Sequence, residues 1–226
     1  MTDIAVVDYG MGNLRSVQKA LAHVAPRARV DITAQPAEVL AADRVVFPGQ
    51  GAMPDCMREM DARGLRPAVI SAALSKPFLG ICIGLQMLFE RSEEGDTAGL
   101  ALLPGRVRRF PREKMADALG NRLKVPHMGW NEVEQSATHP LWQGIAHGSR
   151  FYFVHSYYAE PGSRIAAGVS TYGIPFTCAV ARDNVFAVQF HPEKSDAMGL
   201  RLLANFLAWQ PSVPNPRTRT AASPAT

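Results

Sequence analysis

The chain has 226 residues, 47% of them hydrophobic and 19% charged, a globular composition that excludes a disordered or fibrous chain and suits one α/β domain. Its 24 Lys and Arg against 20 Asp and Glu leave a net charge of +4, without the dense basic stripe that nucleic-acid binding requires. The longest nearly apolar stretch, residues 77–89, is too short for a bilayer, which takes about 20 residues, and the opening Met1-Thr2-Asp3-Ile4 has no secretory pattern.

Ile4-Ala5-Val6-Val7-Asp8 is an apolar run ending in Tyr9-Gly10-Met11-Gly12-Asn13, which predicts a buried strand entering a glycine-rich turn. Leu14, Val17, Leu21 and Val24 recur at helical spacing and predict the helix that follows. A second buried strand is expected over residues 44–47, stopped by Pro48-Gly49-Gln50-Gly51. Residues 55–75 read as helix with a break near Gly64. A third strand spans 78–81, and 85–90 reads as helix directly after it. Such alternation implies right-handed crossovers and a parallel sheet covered on both faces. After Gly99 the pattern changes. Residues 107–110, 130–134, 150–158, 165–170, 177–182 and 185–190 are strand-like, parted by turns such as Pro161-Gly162 and Asp183-Asn184. The expected fold is therefore α/β, with a mostly parallel central sheet, helices on both faces and additional antiparallel strands in the second half. A last helix is expected over 196–209, with Met198, Leu202, Leu203, Phe206 and Leu207 on one face. Beyond Pro211 the composition loses periodicity, so residues 1–210 are expected to form one domain and 211–226 a disordered tail.

Gly80-Ile81-Cys82-Ile83-Gly84 sits where the third strand meets its helix, the spacing of a nucleophile elbow with cysteine as the nucleophile. Taken alone, Cys82 is one more buried cysteine. The glycines on either side supply what a sharp strand-to-helix bend needs. A helix start favours thiolate over thiol and leaves the Ile83 N–H for an oxyanion. His191-Pro192-Glu193 follows the last strand-like run. Residues i and i+2 of an extended segment project to one side, so Glu193 can hold one ring nitrogen and leave the other for Cys82. The other histidines, His23, His127, His139, His147 and His155, have no carboxylate two residues on. Pro48-Gly49-Gln50-Gly51 ends a central strand, where open α/β sheets bind ligands. It could turn a main-chain N–H near Gln50 or Gly51 inward as a second oxyanion donor, although alone it is equally a plain turn.

Cys56, among Met53, Met57 and Met60, and Cys178, in a strand-like run, read as core. Three scattered cysteines make no disulfide framework and fit a reducing, cytoplasmic setting. The basic residues between Arg106 and Lys124 read as a solvated face or as salt links to a partner. No Cys or His cluster has metal spacing, so neither metal nor cofactor is expected.

Gly80-Ile-Cys-Ile-Gly-Leu-Gln86, Pro48-Gly-Gln-Gly51 and His191-Pro-Glu193 together resemble the class I glutamine amidotransferases, whose flavodoxin-like fold the expected α/β sheet matches. More narrowly, Asp8-Tyr-Gly-Met-Gly-Asn13, Val125-Pro-His-Met-Gly-Trp-Asn131, Phe153-Val-His-Ser-Tyr157 and Phe190-His-Pro-Glu-Lys-Ser195 resemble the glutaminase subunits of imidazole glycerol phosphate synthases. The similarity runs from Ile4 to about Trp209. It implies L-glutamine as substrate, Cys82 as nucleophile, His191 as acid and base, and Glu193 as its orienting partner. An oxyanion hole would come from main-chain N–H groups at Gln50, Gly51 and Ile83. Gly49, Gln86 and Glu94 would bind glutamine, Glu94 meeting the α-ammonium, and main-chain N–H groups at Ser156 and Tyr157 would hold the α-carboxylate.

The resemblance also implies a heterodimer whose other member is a (β/α)8-barrel cyclase subunit. That partner would use the released ammonia to make imidazole glycerol phosphate and an aminoimidazole carboxamide ribonucleotide in histidine biosynthesis. Trp130, Tyr152 and Lys194 would face it, with Asn13 and Ser16 close by. Weak activity without the partner and a peptide flip in the Gly49–Gly51 loop belong to the same expectation. A Cys-elbow α/β-hydrolase is a rival reading, but its acid should precede its histidine. A catalytically silent binding module is opposed by the intact Cys, His and Glu. The glutaminase subunit of another pathway is opposed by Pro126 to Asn131.

Overall fold

The computed structural model describes residues 3–117 and 119–212. The chain begins β1 (Asp3–Val7), α1 (Leu14–Val24), β2 (Arg29–Thr33), α2 (Pro36–Ala41), β3 (Arg44–Gly49), α3 (Met53–Ala62), α4 (Arg66–Ser75), β4 (Phe78–Cys82) and α5 (Ile83–Gln86). It continues through β5 (Phe89–Ser92), β6 (Thr97–Ala98), β7 (Leu103–Arg109), β8 (His127–Gln135), β9 (Ser149–His155), β10 (Tyr157–Pro161), β11 (Ala166–Tyr172), β12 (Ile174–Arg182), β13 (Val185–Val188) and α6 (Asp196–Ala208).

Five strands, in the order β2-β1-β3-β4-β13, form an all-parallel centre. β3 and β4 are buried at every residue, as strands covered on both faces must be. The chain steps outward from β1 to β2 and then back across β1 to β3. With right-handed crossovers that reversal puts α1 and α2 on opposite faces. α1 packs against α6 and α2 against α4. The turns after β1 and β3 meet at the carboxyl edge where the strand order reverses, the place where such sheets bind ligands. β13 also pairs antiparallel with β12, from which the sheet continues through β10, β7, β5 and β6. β11, β8 and β9 branch from β12 as a further antiparallel extension.

The fold class is the expected one, and the break near Gly64 separates α3 from α4, with φ +65 at that glycine. Four local readings differ. The helix expected over 85–90 is a single turn, α5, after which the chain extends as β5 beside β7. Every residue from 78 to 89 is buried, and an apolar run enclosed on all sides has no periodicity that separates helix from strand. The strand expected over 150–158 breaks at Ser156 into β9, which pairs with β8, and β10, which pairs with β7 and β12. β2 and α2 lie outside the predicted elements; β2 is a half-polar edge strand and α2 has six residues. β13 stops at Val188. The expected tail falls, from residue 213 on, outside the described residues.

Candidate active site

Cys82 ends β4 and caps α5 with φ +56 and ψ −112, a left-handed backbone that side chains other than glycine rarely adopt. The flanking glycines make this bend fit. A Cβ on Gly84 would lie 1.8 Å from the Phe47 carbonyl oxygen, and one on Gly80 would lie 2.9 Å from the Ala187 Cβ. β4 and its one-turn helix therefore pass so close to β3 and β13 that no side chain fits at either position. The Cys82 residue is 4% exposed.

β13 runs beside β4 with Val188 opposite Ile81, so the chain leaving β13 passes next to Cys82. His191 follows, leading into a short helical turn at Pro192–Lys194. Its Nδ1 lies 2.8 Å from Glu193 Oε1, and both side chains are buried. Nε2 is buried too and makes no aligned hydrogen bond. Burial works against protonating this ring. The negative charge of the Cys82 sulfur, its capacity to accept Nε2–H, and then Glu193 outweigh that and raise the His191 pKa. A thiolate–imidazolium pair is the arrangement that activates cysteine for attack on an acyl carbon.

A cleft of about 290 Å³ opens beside the pair. Gln50, Gly51, Cys82, Ile83, Gln86, Glu94, Ser156, Tyr157 and His191 all line it. Gly49 does not: a Cβ there would meet the Tyr9 hydroxyl at 2.3 Å and the Ile83 Cβ at 2.8 Å, so it packs behind the wall as a spacer between β3 and α5. The residues on either side of Gly49 are anchored through their carbonyls, Pro48 at the end of β3 accepting from the Tyr9 hydroxyl at 2.9 Å and Gln50 in the loop from Cys56 Sγ at 3.5 Å. Burial pushes the Cys56 thiol up to about 11, so it stays a protonated donor. Gly51 carries φ +101. Glu94 Oε2 accepts from the Met53 N–H at 2.8 Å, which ties it to the start of α3. Gln86 is buried, and its Nε2 donates to the Tyr157 carbonyl at 3.2 Å and to Gln189 Oε1 at 2.9 Å.

Two neighbours of the site carry no assignment from the sequence. His155 lines the cleft, yet both its ring nitrogens are engaged, Nδ1 with the Tyr157 carbonyl at 2.7 Å and Nε2 with His127 Nδ1 at 3.0 Å. Burial lowers the pKa of His155 to about 3 and of His127 to about 4, so this pair is neutral. Gln189 is fully buried beside Cys82. A polar residue inside the apolar run 185–190 is the signal that could have found it.

The residues expected to face a partner gather next to this site. Trp130 is 40% exposed and stands edge-on to Tyr152, its cross-strand neighbour, at 6.2 Å between ring centres. Lys194 Nζ lies 5.9 Å from the centre of the Tyr152 ring. α1 packs beside the Pro192–Lys194 turn, with Asn13 exposed at its start and Ser16 half-buried. Among the described residues no group of His, Cys, Asp and Glu could hold a metal, and no helix is long and apolar enough to cross a membrane.

Comparison with known proteins gives a consistent answer. The family model described as glutamine amidotransferase class-I matches residues 5–209. The chain is 66% identical over 211 residues to the imidazole glycerol phosphate synthase subunit HisH of Nitrosospira multiformis, covering 93% of this chain and 100% of that protein. It is 68% identical over 209 residues to the protein of the same name in Dechloromonas aromatica, covering 92% and 97%. Among solved structures it resembles a putative GMP synthase protein from Thermoplasma acidophilum, with a TM-score of 0.66, 17% identity and coverage of 92% and 93%. PurLQS from Thermotoga maritima gives a TM-score of 0.65 at 17% identity, covering 92% and 98%. At that identity the solved structures speak to the fold alone.

Proposed function

This chain belongs to the class-I glutamine amidotransferase family, and we propose that it hydrolyses L-glutamine to glutamate and ammonia as the glutaminase subunit of an imidazole glycerol phosphate synthase in histidine biosynthesis. The observation that carries this reading is the buried His191–Glu193 pair set against a cysteine held at φ +56, beside a cleft lined by Gln86 and Glu94.

In this reading the Cys82 thiolate attacks the side-chain amide carbon of glutamine. The carbonyl oxygen becomes an oxyanion that accepts main-chain N–H bonds from Ile83 and the Gln50–Gly51 loop, each worth about 3–4 kcal/mol to the transition state. His191 gives its Nε2 proton to the amide nitrogen, the C–N bond breaks, and ammonia leaves a thioester on Cys82. Water then attacks the thioester carbon, His191 takes a proton from it, and the thiolate departs from glutamate. Glu193 accepts from Nδ1–H throughout and keeps the ring in the orientation that faces the sulfur. Glu94 offers its carboxylate to the α-ammonium, and the Ser156–Tyr157 main chain offers N–H groups to the α-carboxylate.

The ammonia would pass to a (β/α)8-barrel cyclase subunit docked on the face formed by Trp130, Tyr152 and Lys194, with Asn13 and Ser16 at its edge. Aromatic side chains with a polar tip suit that role because they bury a large area without stranding a polar group. A cytoplasmic setting accords with three free cysteines. The loop from Gly49 to Gly51, with a left-handed glycine at its end, is a candidate for a peptide that reorients when the partner binds its ligand. The test is glutamate release from glutamine by the full chain, with and without the cyclase and its nucleotide ligand. Cys82→Ala is expected to lose turnover by a factor of about 10⁴ or more. Retained turnover in that variant overturns the assignment of the nucleophile, and a full rate without the partner overturns the coupling.

A further inference from the structure

Gln189 has no exposed surface, and its main-chain N–H donates to the Cys178 carbonyl at 2.8 Å, which fixes it against β12. Its side chain bridges two groups of the site. Oε1 accepts from Gln86 Nε2 at 2.9 Å, and Nε2 lies 3.7 Å from Cys82 Sγ. The direction of this chain follows from one atom. Gln86 also bonds the Tyr157 main-chain carbonyl at 3.2 Å, and a carbonyl oxygen only accepts. The end of Gln86 that faces Tyr157 and Gln189 must therefore be its NH₂ group. Gln189 must answer with its oxygen, which turns its own NH₂ toward the sulfur. Gln86 Oε1 is left over, buried and without a hydrogen-bond partner, on a residue that lines the cleft.

We propose that Gln189 is a positioning residue for glutamine hydrolysis, donating an N–H to the Cys82 sulfur and holding the Gln86 amide with its oxygen free for an N–H of the substrate. The proposal rests on the glutaminase reading and deepens it. A donor on the thiolate that never takes part in proton transfer keeps the sulfur anionic and directed while His191 passes its proton to the leaving nitrogen. The acceptor on Gln86 keeps that amide from rotating. A rotated Gln86 would present NH₂ where the substrate also presents N–H, and a buried donor facing a donor costs binding.

Two substitutions test this in the full chain. Gln189→Met keeps the length of the side chain and removes both functions. Gln189→Glu keeps an acceptor for Gln86 but replaces the donor to the sulfur with an acid. The first readout is the pH profile of Cys82 alkylation by iodoacetamide, followed by mass spectrometry of the Cys82 peptide. The second is the split between KM and kcat for glutamine hydrolysis. Gln189→Met is expected to raise the midpoint of the alkylation profile by about one pH unit, the size of one lost charge-assisted hydrogen bond, and KM by about tenfold. Gln189→Glu is expected to raise the midpoint at least as far while KM stays within about threefold. An alkylation midpoint unchanged in either folded variant overturns the proposal. If the Met variant does not fold, the nearly isosteric Glu variant decides alone. The alkylation profile reads the surroundings of Cys82 whether or not glutamine is turned over, so failure of the glutaminase reading and failure of this proposal are separate results.

Discussion

Replacing Cys82 by glycine and by alanine isolates the backbone cost of the bend. Both variants lack the sulfur, so their difference in stability reports the conformation alone. With φ +56 and ψ −112 at this residue, a side-chain-bearing residue carries about 1–3 kcal/mol of strain. Glycine is free of that strain but loses more chain entropy on folding, about 0.5–1 kcal/mol relative to alanine. The glycine variant should therefore be the more stable of the two, by up to about 2.5 kcal/mol, at about 2–4 °C of Tm per kcal/mol for a chain of this size. Urea denaturation at neutral pH measures the difference, with calorimetry as a second probe. Ala204→Gly, in the interior of α6, supplies the ordinary sign, a loss of about 1 kcal/mol. If Cys82→Gly is the less stable variant by a margin like that of Ala204→Gly, the bend stores no strain and the reasoning fails.

Two further outcomes follow from the site and its surface. Because the His191 pKa is raised, against the opposing effect of burial, chiefly by the charge of Cys82, the ring is more readily protonated folded than unfolded. Its contribution to stability is fully present below the unfolded value of about 6.5 and is lost as pH rises through the raised folded value. Cys82→Ala should flatten that alkaline decline, as read from urea midpoints across pH, and equal slopes in the two proteins would contradict the charge argument. Trp130→Ala should weaken binding of the cyclase by about 10- to 100-fold in titration calorimetry; unchanged affinity removes Trp130 from the interface.

What could be read in the sequence was what is local. Gly80-x-Cys82-x-Gly84 announces a tight bend because only glycine fits within 1.8 Å of a neighbouring carbonyl at Gly84. His191 and Glu193 form the expected pair, their atoms 2.8 Å apart, although Glu193 sits in the short helical turn at Pro192–Lys194 and not on the extended chain that the spacing predicts. The relation of Gln189 to Gln86 and Cys82 spans more than a hundred residues, and strand register, not spacing, creates it. The same limit hid the buried His127–His155 pair, whose partners face each other across β8 and β9. Gly49 belongs to a legible motif but lies off the cleft, packed against Tyr9 and Ile83, because the tetrapeptide does not say which of its residues turns toward the cleft. The shortness of α5 was hidden by burial, which erased the contrast that periodicity needs.

Strand order also sets a clock. β13 is the last strand made among the described residues, yet it lies between β4 and β12, both of which leave the ribosome before it. A nascent chain therefore holds Cys82 long before it holds His191 and Glu193, the pair that the proposed hydrolysis requires. On the proposed assignment, ammonia release waits until synthesis has passed residue 193 and β13 has slotted between β4 and β12.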